Sequence, residues 1–250
     1  MKSKFITLEG VEGSGKSTNL KFINKYLDKK NISYVNTREP GGGPIGPKLR
    51  SLLLNVDSVI SPEVEMLLML SDRKDHVDNL ILPNLNEGKW VISDRYMDST
   101  IAYQGGGRQI DLKKILATAS ILNLPEPSLT LLFDLPIDVA LERAKQRGNL
   151  DRFEREPEVF HQRIRDSYLS LSKLHPSRIK VIDSSQSKED VKFQLLETLN
   201  LFFKAYLLIS FLLKINIGRK TFLFTSSKCE HTSSNNKIGC LNLTSDKYLH

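Results

Sequence analysis

The stretch Phe5-Ile-Thr-Leu-Glu-Gly10-Val-Glu-Gly-Ser-Gly15-Lys16-Ser-Thr18 decides the architecture. Its first four residues are a short apolar and β-branched run of the length a buried strand needs. The run leads straight into Gly10 to Ser17, which fits G-x-x-x-x-G-K-[ST], and Ser17 to Lys29 then carries helical spacing. Strand, glycine loop and helix start, in that order, make a phosphate cradle. The glycines let successive N–H groups converge on phosphate oxygens. Lys16 reaches the β- and γ-phosphates, the Ser17 hydroxyl can ligate Mg²⁺, and the positive end of the helix favours an anion. The plain alternative is an ordinary glycine-rich turn, and the strand–loop–helix context weighs against it. The first expectation is therefore binding of ATP or GTP by Gly10, Val11, Glu12, Gly13, Ser14, Gly15, Lys16, Ser17 and Thr18.

Outward from this stretch, Ile32 to Val35, Trp90 to Ser93, Leu129 to Phe133 and Ile179 to Ile182 are further short apolar runs that read as buried strands. Between them, Pro47–Leu54, Pro62–Leu85, Asp111–Leu122, Ile137–Arg147, Pro157–Leu174 and Ser187 to about Ala205 have helical spacing. Alternation of this kind implies parallel strands joined by right-handed crossovers, with ligands at the carboxyl ends of the strands. The expected fold is a three-layer α/β domain, a five-stranded parallel sheet with helices on both faces.

The chain has 250 residues, 40% hydrophobic and 26% charged, with 2 Cys and a net charge of +7. A chain of this length buries roughly three quarters of its unfolded surface and needs no disulfide or metal staple. Cys229 and Cys240 both lie near the C-terminus, which excludes a disulfide framework for the body and agrees with a reducing cytosol. The start, MKSKFITLEG, lacks the apolar core and cleavage site of an export signal, so a cytoplasmic protein is expected. From Tyr206 onward, six basic residues (Lys214, Arg219, Lys220, Lys228, Lys237, Lys247) against two acidic ones (Glu230, Asp246) give the tail +4 of the +7 and leave the body +3. That balance suits a small phosphorylated ligand better than a nucleic-acid duplex, which needs a broad basic face.

The domain is expected to span residues 1–205. Leu201 to Ile217 is apolar but broken by Lys204 and Lys214, too short for a bilayer span, and reads as a helix end packed on the core. Beyond it, the polar stretch through Cys240 has the composition of a disordered extension. Cys229, His231 and Cys240 match no common zinc spacing.

Trp90-Val-Ile-Ser-Asp94-Arg95 is a strand ending in an acidic residue, where a P-loop protein holds the Mg²⁺ shell, so Ser17 and Asp94 are the candidate metal residues. Arg95 beside it offers a planar fork for phosphate, although an Asp-Arg surface turn would read the same. Thr37-Arg38-Glu-Pro-Gly-Gly-Gly43 closes the second strand, and Arg38 there suits a monophosphate. Arg143, Arg147, Arg152 and Arg155 surround the Gly148-Asn-Leu150 break, a solvated surface or a mobile lid that brings cations onto a transferred phosphoryl group.

Taken together, FITLEGVEGSGKST, TREPGGG, WVISDRYMDSTIAYQGGGR and RGNLDRFERE resemble the thymidylate kinase family, in order and spacing, over roughly Lys2 to Ala205. The resemblance implies the P-loop nucleoside monophosphate kinase fold with its lid. It implies transfer of the γ-phosphoryl of ATP to dTMP with Mg²⁺, and a homodimer. It places Lys16 and the loop on ATP, and Glu12 near the acceptor sugar and metal. Arg95 would bridge donor and acceptor, with Asp94 an orienting group. Arg38, Arg73, Ser99, Thr100, Tyr103 and Gln104 would contact dTMP, Tyr103 favouring deoxyribose. The third loop position is Gly13 and not arginine, so Arg147 and Arg152 are the implied catalytic cations, as in the bacterial type with a basic lid.

One departure stands out: where the family stacks a phenylalanine on thymine, this chain has Met69. An aromatic stack is worth about 0.5–1.5 kcal/mol beyond area, of which a thioether recovers part, so weaker acceptor binding is expected. Two other readings remain open on the sequence. Another monophosphate kinase of the same fold would share loop and lid, and a non-catalytic nucleotide switch would keep Lys16 and Ser17 without needing the other motifs.

Overall fold

The computed structural model describes residues 3–205. Five parallel strands, β1 (Phe5–Glu9), β2 (Tyr34–Arg38), β3 (Trp90–Asp94), β4 (Leu129–Asp134) and β5 (Ile179–Asp183), form one sheet in the order β2-β3-β1-β4-β5. From β1 the chain goes to the edge strand β2, returns to fill the gap with β3, and then crosses to the other side of β1 for β4 and β5, so the strand order reverses at β1. A crevice outside the carboxyl ends of β1 and β3 is where such a sheet binds ligands.

The three central strands are almost wholly buried, which explains their continuous apolar runs: helices cover both faces. The edge strand β2 is more polar. It begins two residues after the expected start at Ile32 and runs on through Arg38, paired with β3 from Tyr34 opposite Trp90 to Arg38 opposite Asp94. Ladder hydrogen bonds belong to the backbone, so Asn36, Thr37 and Arg38 continue a strand that hydrophobicity alone ends too early.

The helices are α1 (Lys16–Lys29), α2 (Gly46–Leu54), α3 (Pro62–His76), α4 (Leu82–Asn86), α5 (Met97–Thr100), α6 (Leu112–Ser120), α7 (Ile137–Gln146) and α8 (Glu158–Leu174), followed by helix over 188–205. Local chemistry sets several starts. The Ser61 Oγ accepts from the Val64 amide, with Pro62 in the first turn of α3, and the Asp111 carboxylate accepts from the Lys113 amide at 2.8 Å at the head of α6.

The helix expected over 62–85 is α3 and α4 joined by a π-helical stretch, Val77–Ile81. A second π-helical stretch, Ile101–Gly107, continues α5 and has no counterpart in the sequence reading, because three successive glycines look like loop. Packing against α8 holds it. A Cβ on Gly107 would lie 2.6 Å from the Phe160 ring, so only glycine lets this backbone lie directly on the helix. Phe160, Ile164, Tyr168 and Leu171 of α8 complete the core with Tyr103, Leu132 and Ile179. The expectations for the segment beyond Ala205 lie outside the described residues.

Candidate active site

β1 delivers the chain into the phosphate loop at Gly10, which admits no side chain: its φ is +134°, and a Cβ there would lie only 2.4 Å from the Phe133 carbonyl. Glu12 through Thr18 line a cleft of about 770 Å³, which Gly10 does not line, and the Val11 side chain is buried in the core. The Lys16 ammonium curls over the loop and donates to the carbonyls of Gly10 and Val11, each at 3.0 Å. Burial and the neighbouring Arg95 guanidinium lower its pKa.

Arg95 occupies the left-handed region at φ +75°, a costly conformation for a side chain of this size and a frequent mark of a functional site. Its amide donates to the Leu8 carbonyl at 2.9 Å, locking the turn to β1. The guanidinium donates to the Glu12 carboxylate, to the Tyr103 hydroxyl at 2.9 Å, and to the Ser99 and Tyr168 hydroxyls at 3.2 Å. One cation thus joins the phosphate loop to α5, the π-helical stretch and α8. Burial works to raise the Glu12 carboxyl, but Arg95 and Lys16 outweigh it and bring it down to about 2. Asp94 faces the same cleft, and its buried Oδ1 has no hydrogen-bond partner among the described residues, an acceptor suited to a cation or its water.

Beyond Arg95 the cleft continues into an apolar recess walled by Leu54, Met69, Tyr103 and Phe153, with Arg73, Ser99, Thr100 and Gln104 as its polar groups. Arg73 is almost fully buried. It donates to Glu39 Oε2 at 2.7 Å, Thr100 Oγ1 at 2.8 Å and the Tyr96 carbonyl at 2.9 Å. Most of its donors therefore serve to join the loop after β2 to α5, and only its remaining edge faces the recess. Met69 stands on the recess wall, where the resemblance expects an aromatic ring.

Arg38, Arg50, Arg143 and Arg147 line the larger cleft with the phosphate loop. Arg147 pairs with Glu154 at 2.5 Å in the segment that follows α7 and stays more than half exposed. Arg152 turns the other way: it bonds Glu65 Oε2 at 2.7 Å and the Leu53 carbonyl at 2.9 Å, and it is not part of the phosphate cleft.

The profile described as thymidylate kinase matches residues 8–195. The chain belongs to the thymidylate kinase family. It is 49% identical over 206 residues to the thymidylate kinase of Carboxydothermus hydrogenoformans, covering 80% of this chain and all of the relative. It is 46% identical to that of Vesicomyosocius okutanii, over 78% of this chain and 96% of the relative. The crystal structure of thymidylate kinase from Ehrlichia chaffeensis is similar at a TM-score of 0.63 and 31% identity, covering 80% of this chain and 99% of that one. The five-stranded parallel sheet with flanking helices is the fold of this family.

Several residues of this family member's site were not legible in its sequence. Glu9, the last residue of β1, is fully buried. It accepts from the Tyr96 amide at 2.8 Å, the Ser99 hydroxyl at 2.6 Å and the Tyr168 hydroxyl at 3.0 Å. Burial and the nearby Asp98 raise its carboxyl to about 8, against the pull of Ser99, Arg95 and Tyr168. Glu39 joins Arg73 to His76 Nδ1 at 2.9 Å, whose Nε2 meets Thr37 Oγ1 at 2.7 Å, and this chain holds the loop after β2. Tyr168 sits in the apolar stripe of α8 and reads as core. Ser184, Gln186 and Lys188 line the far end of the cleft after β5 without any motif to announce them.

Proposed function

We propose that this chain transfers the γ-phosphoryl group of ATP to the phosphate of dTMP, giving dTDP and ADP. The observation that carries this reading is Arg95, set between the phosphate loop at Glu12 and the apolar recess beside Tyr103. A cation there bridges a triphosphate in the loop and a monophosphate whose base enters the recess. An acceptor phosphate oxygen is already a nucleophile, so the protein needs in-line placement and positive charge more than a strong base. Lys16 and the loop amides hold the donor phosphates, Arg38 holds the acceptor phosphate, and Arg95 spans both. Arg147, on the cleft side of the lid, supplies a further cation to the charge that develops during transfer.

Glu12, held ionised by Arg95 and Lys16, faces the acceptor sugar. Tyr103 crowds the ribose and favours the deoxy form. Ser99, Thr100, Gln104, Arg73 and Met69 surround the base. Asp94 and Ser17 fit Mg²⁺, given a buried Asp94 oxygen with no partner among the described residues and the hydroxyl at the start of α1. When bound, the ion neutralises phosphate charge; Asp94 orients its shell.

We further read the protein as a cytoplasmic homodimer with residues 206–250 an extension dispensable for catalysis. Among the described residues no helix is long and apolar enough to cross a membrane. Val64 and Leu67 on α3 and Leu112 and Leu116 on α6 are half exposed on two helices that share one core cluster, a face suited to a second copy. Sedimentation checks this by giving twice the 28.4 kDa of the chain. The activity is tested by ADP release from ATP and Mg²⁺ across dTMP, dUMP, UMP, CMP, AMP and GMP. Selective turnover of dTMP is expected, with some dUMP, because a pocket tells a methyl from hydrogen by only about 1–3 kcal/mol. Turnover of another monophosphate alone overturns the acceptor, and ATP binding without turnover of any overturns the kinase reading.

A further inference from the structure

We propose that Glu65, which lies behind the recess, fixes which end of the Gln104 amide reads the acceptor base and, with its second oxygen, anchors the lid through Arg152. The inference rests on the reading of the recess as the site of a thymine base. Glu65 stands in the first turn of α3 with no exposed surface, and a carboxylate so buried must be fully partnered. Its Oε1 accepts from the Gln104 amine at 2.9 Å, its Oε2 from Arg152 at 2.7 Å, and Arg108 Nε reaches both oxygens at 3.2 Å.

An amide has a donor end and an acceptor end, and a carboxylate flanked by two guanidinium groups only accepts. Glu65 therefore takes the amine of Gln104 and leaves the carbonyl end for the recess that Gln104 lines. That end suits a base edge presenting an N–H donor, as the imide of thymine or uracil does. Cytosine would bring a ring-nitrogen lone pair against the carbonyl. The sense of the base selection thus comes from a residue that never touches the base.

The same carboxylate holds the lid. Arg152 is bound to Glu65 and to the Leu53 carbonyl, and its guanidinium lies 4.5 Å from the centre of the Phe153 ring. Phe153 in turn sets its ring edge against Tyr103 in the recess wall, with centroids 5.7 Å apart. Arg108 ties a second lid residue to the same point, bonding Glu156 at 2.5 Å. Arg152 is accordingly a lid anchor on the acceptor side, and lid docking and base seating depend on one group.

The test is Glu65→Gln in the full-length protein. The introduced amide donates as well as accepts, so it no longer dictates how Gln104 is turned and no longer pairs with Arg152. The expected result is a rise in KM for dTMP of about tenfold, the factor one hydrogen bond is worth, with kcat changed less than about threefold. Discrimination between dTMP and dCMP falls by a similar factor, and trypsin cuts the lid of the variant faster than the wild-type lid at saturating dTMP. A variant that melts with the wild type and keeps its KM, its dCMP discrimination and its lid protection overturns the proposal. Where Glu65→Gln does not fold, Gln104→Leu, Arg152→Leu and the double variant decide: effects on KM that fall short of multiplying support the shared carboxylate, and effects that multiply overturn it. Wild type that turns over no dTMP overturns the kinase reading itself, whereas active wild type with an indifferent Glu65→Gln overturns only this inference.

Discussion

Glu9→Gln separates the pH dependence of one buried group from that of the whole fold. In the folded chain the Glu9 carboxyl is raised to about 8 by burial and by Asp98, against an ordinary value of 4.5. Between those two values the unfolded chain has lost the proton and the folded chain keeps it, so this group's contribution is fully present below about 4.5 and is lost as pH rises through about 8. The slope is at most about 1.4 kcal/mol per pH unit, or about 2–3 kcal/mol from pH 5.5 to 7.5. For a chain of this size that is a fall in Tm of roughly 5–10 °C. Glutamine is nearly isosteric with the protonated acid. Its carbonyl can accept from the Tyr96 amide, and its amine can donate to the Ser99 or Tyr168 hydroxyl, either of which is able to accept. The variant is therefore expected to match the wild type near pH 5.5 and to exceed it near pH 8. Calorimetric melts at half-unit steps measure the difference, which removes the background from groups such as Asp72, itself raised to about 6 by burial and Glu39. Parallel wild-type and variant curves across that range would refute the reasoning.

Lys16→Ala is expected to cut turnover by orders of magnitude while circular dichroism stays native, and near-normal activity would remove the phosphate loop from the mechanism. Gly107→Ala places a methyl 2.6 Å from the Phe160 ring and should destabilise the fold by about 1–3 kcal/mol in denaturant titrations; an unchanged midpoint contradicts the close approach of this backbone to α8. Met69→Phe should lower the KM for dTMP by restoring a stacking ring on the recess wall, and an unchanged KM counts against that role. Truncation after Ala205 should leave specific activity intact; a soluble truncated protein without turnover contradicts it.

The residues the sequence announced are those whose chemistry is local. A strand, a glycine loop and a helix start are contiguous in FITLEGVEGSGKST, so the phosphate cradle is a property of a dozen adjacent residues and survives any uncertainty about the rest of the fold. Asp94 and Arg95 were legible for the same reason, as the end of an apolar run. The alternation of strand and helix fixed the parallel sheet, since parallel strands require crossovers.

Tertiary structure decided what depends on contacts between distant segments. Glu9 meets Tyr168 across 159 positions, and the pairing has no spacing to betray it; the tyrosine lies in an apolar stripe and the glutamate at the end of a strand. The π-helical turn at Ile101–Gly107 exists because α8 packs against its glycines, a packing fact that local propensity reads as loop. Arg147 and Arg152 are five residues apart and chemically identical, yet one lines the phosphate cleft and the other is bound behind the recess. Which way each turns is set by where Glu154 and Glu65 stand, because a guanidinium goes to the carboxylate the fold presents to it, and that carboxylate's position is written in no single stretch of the chain.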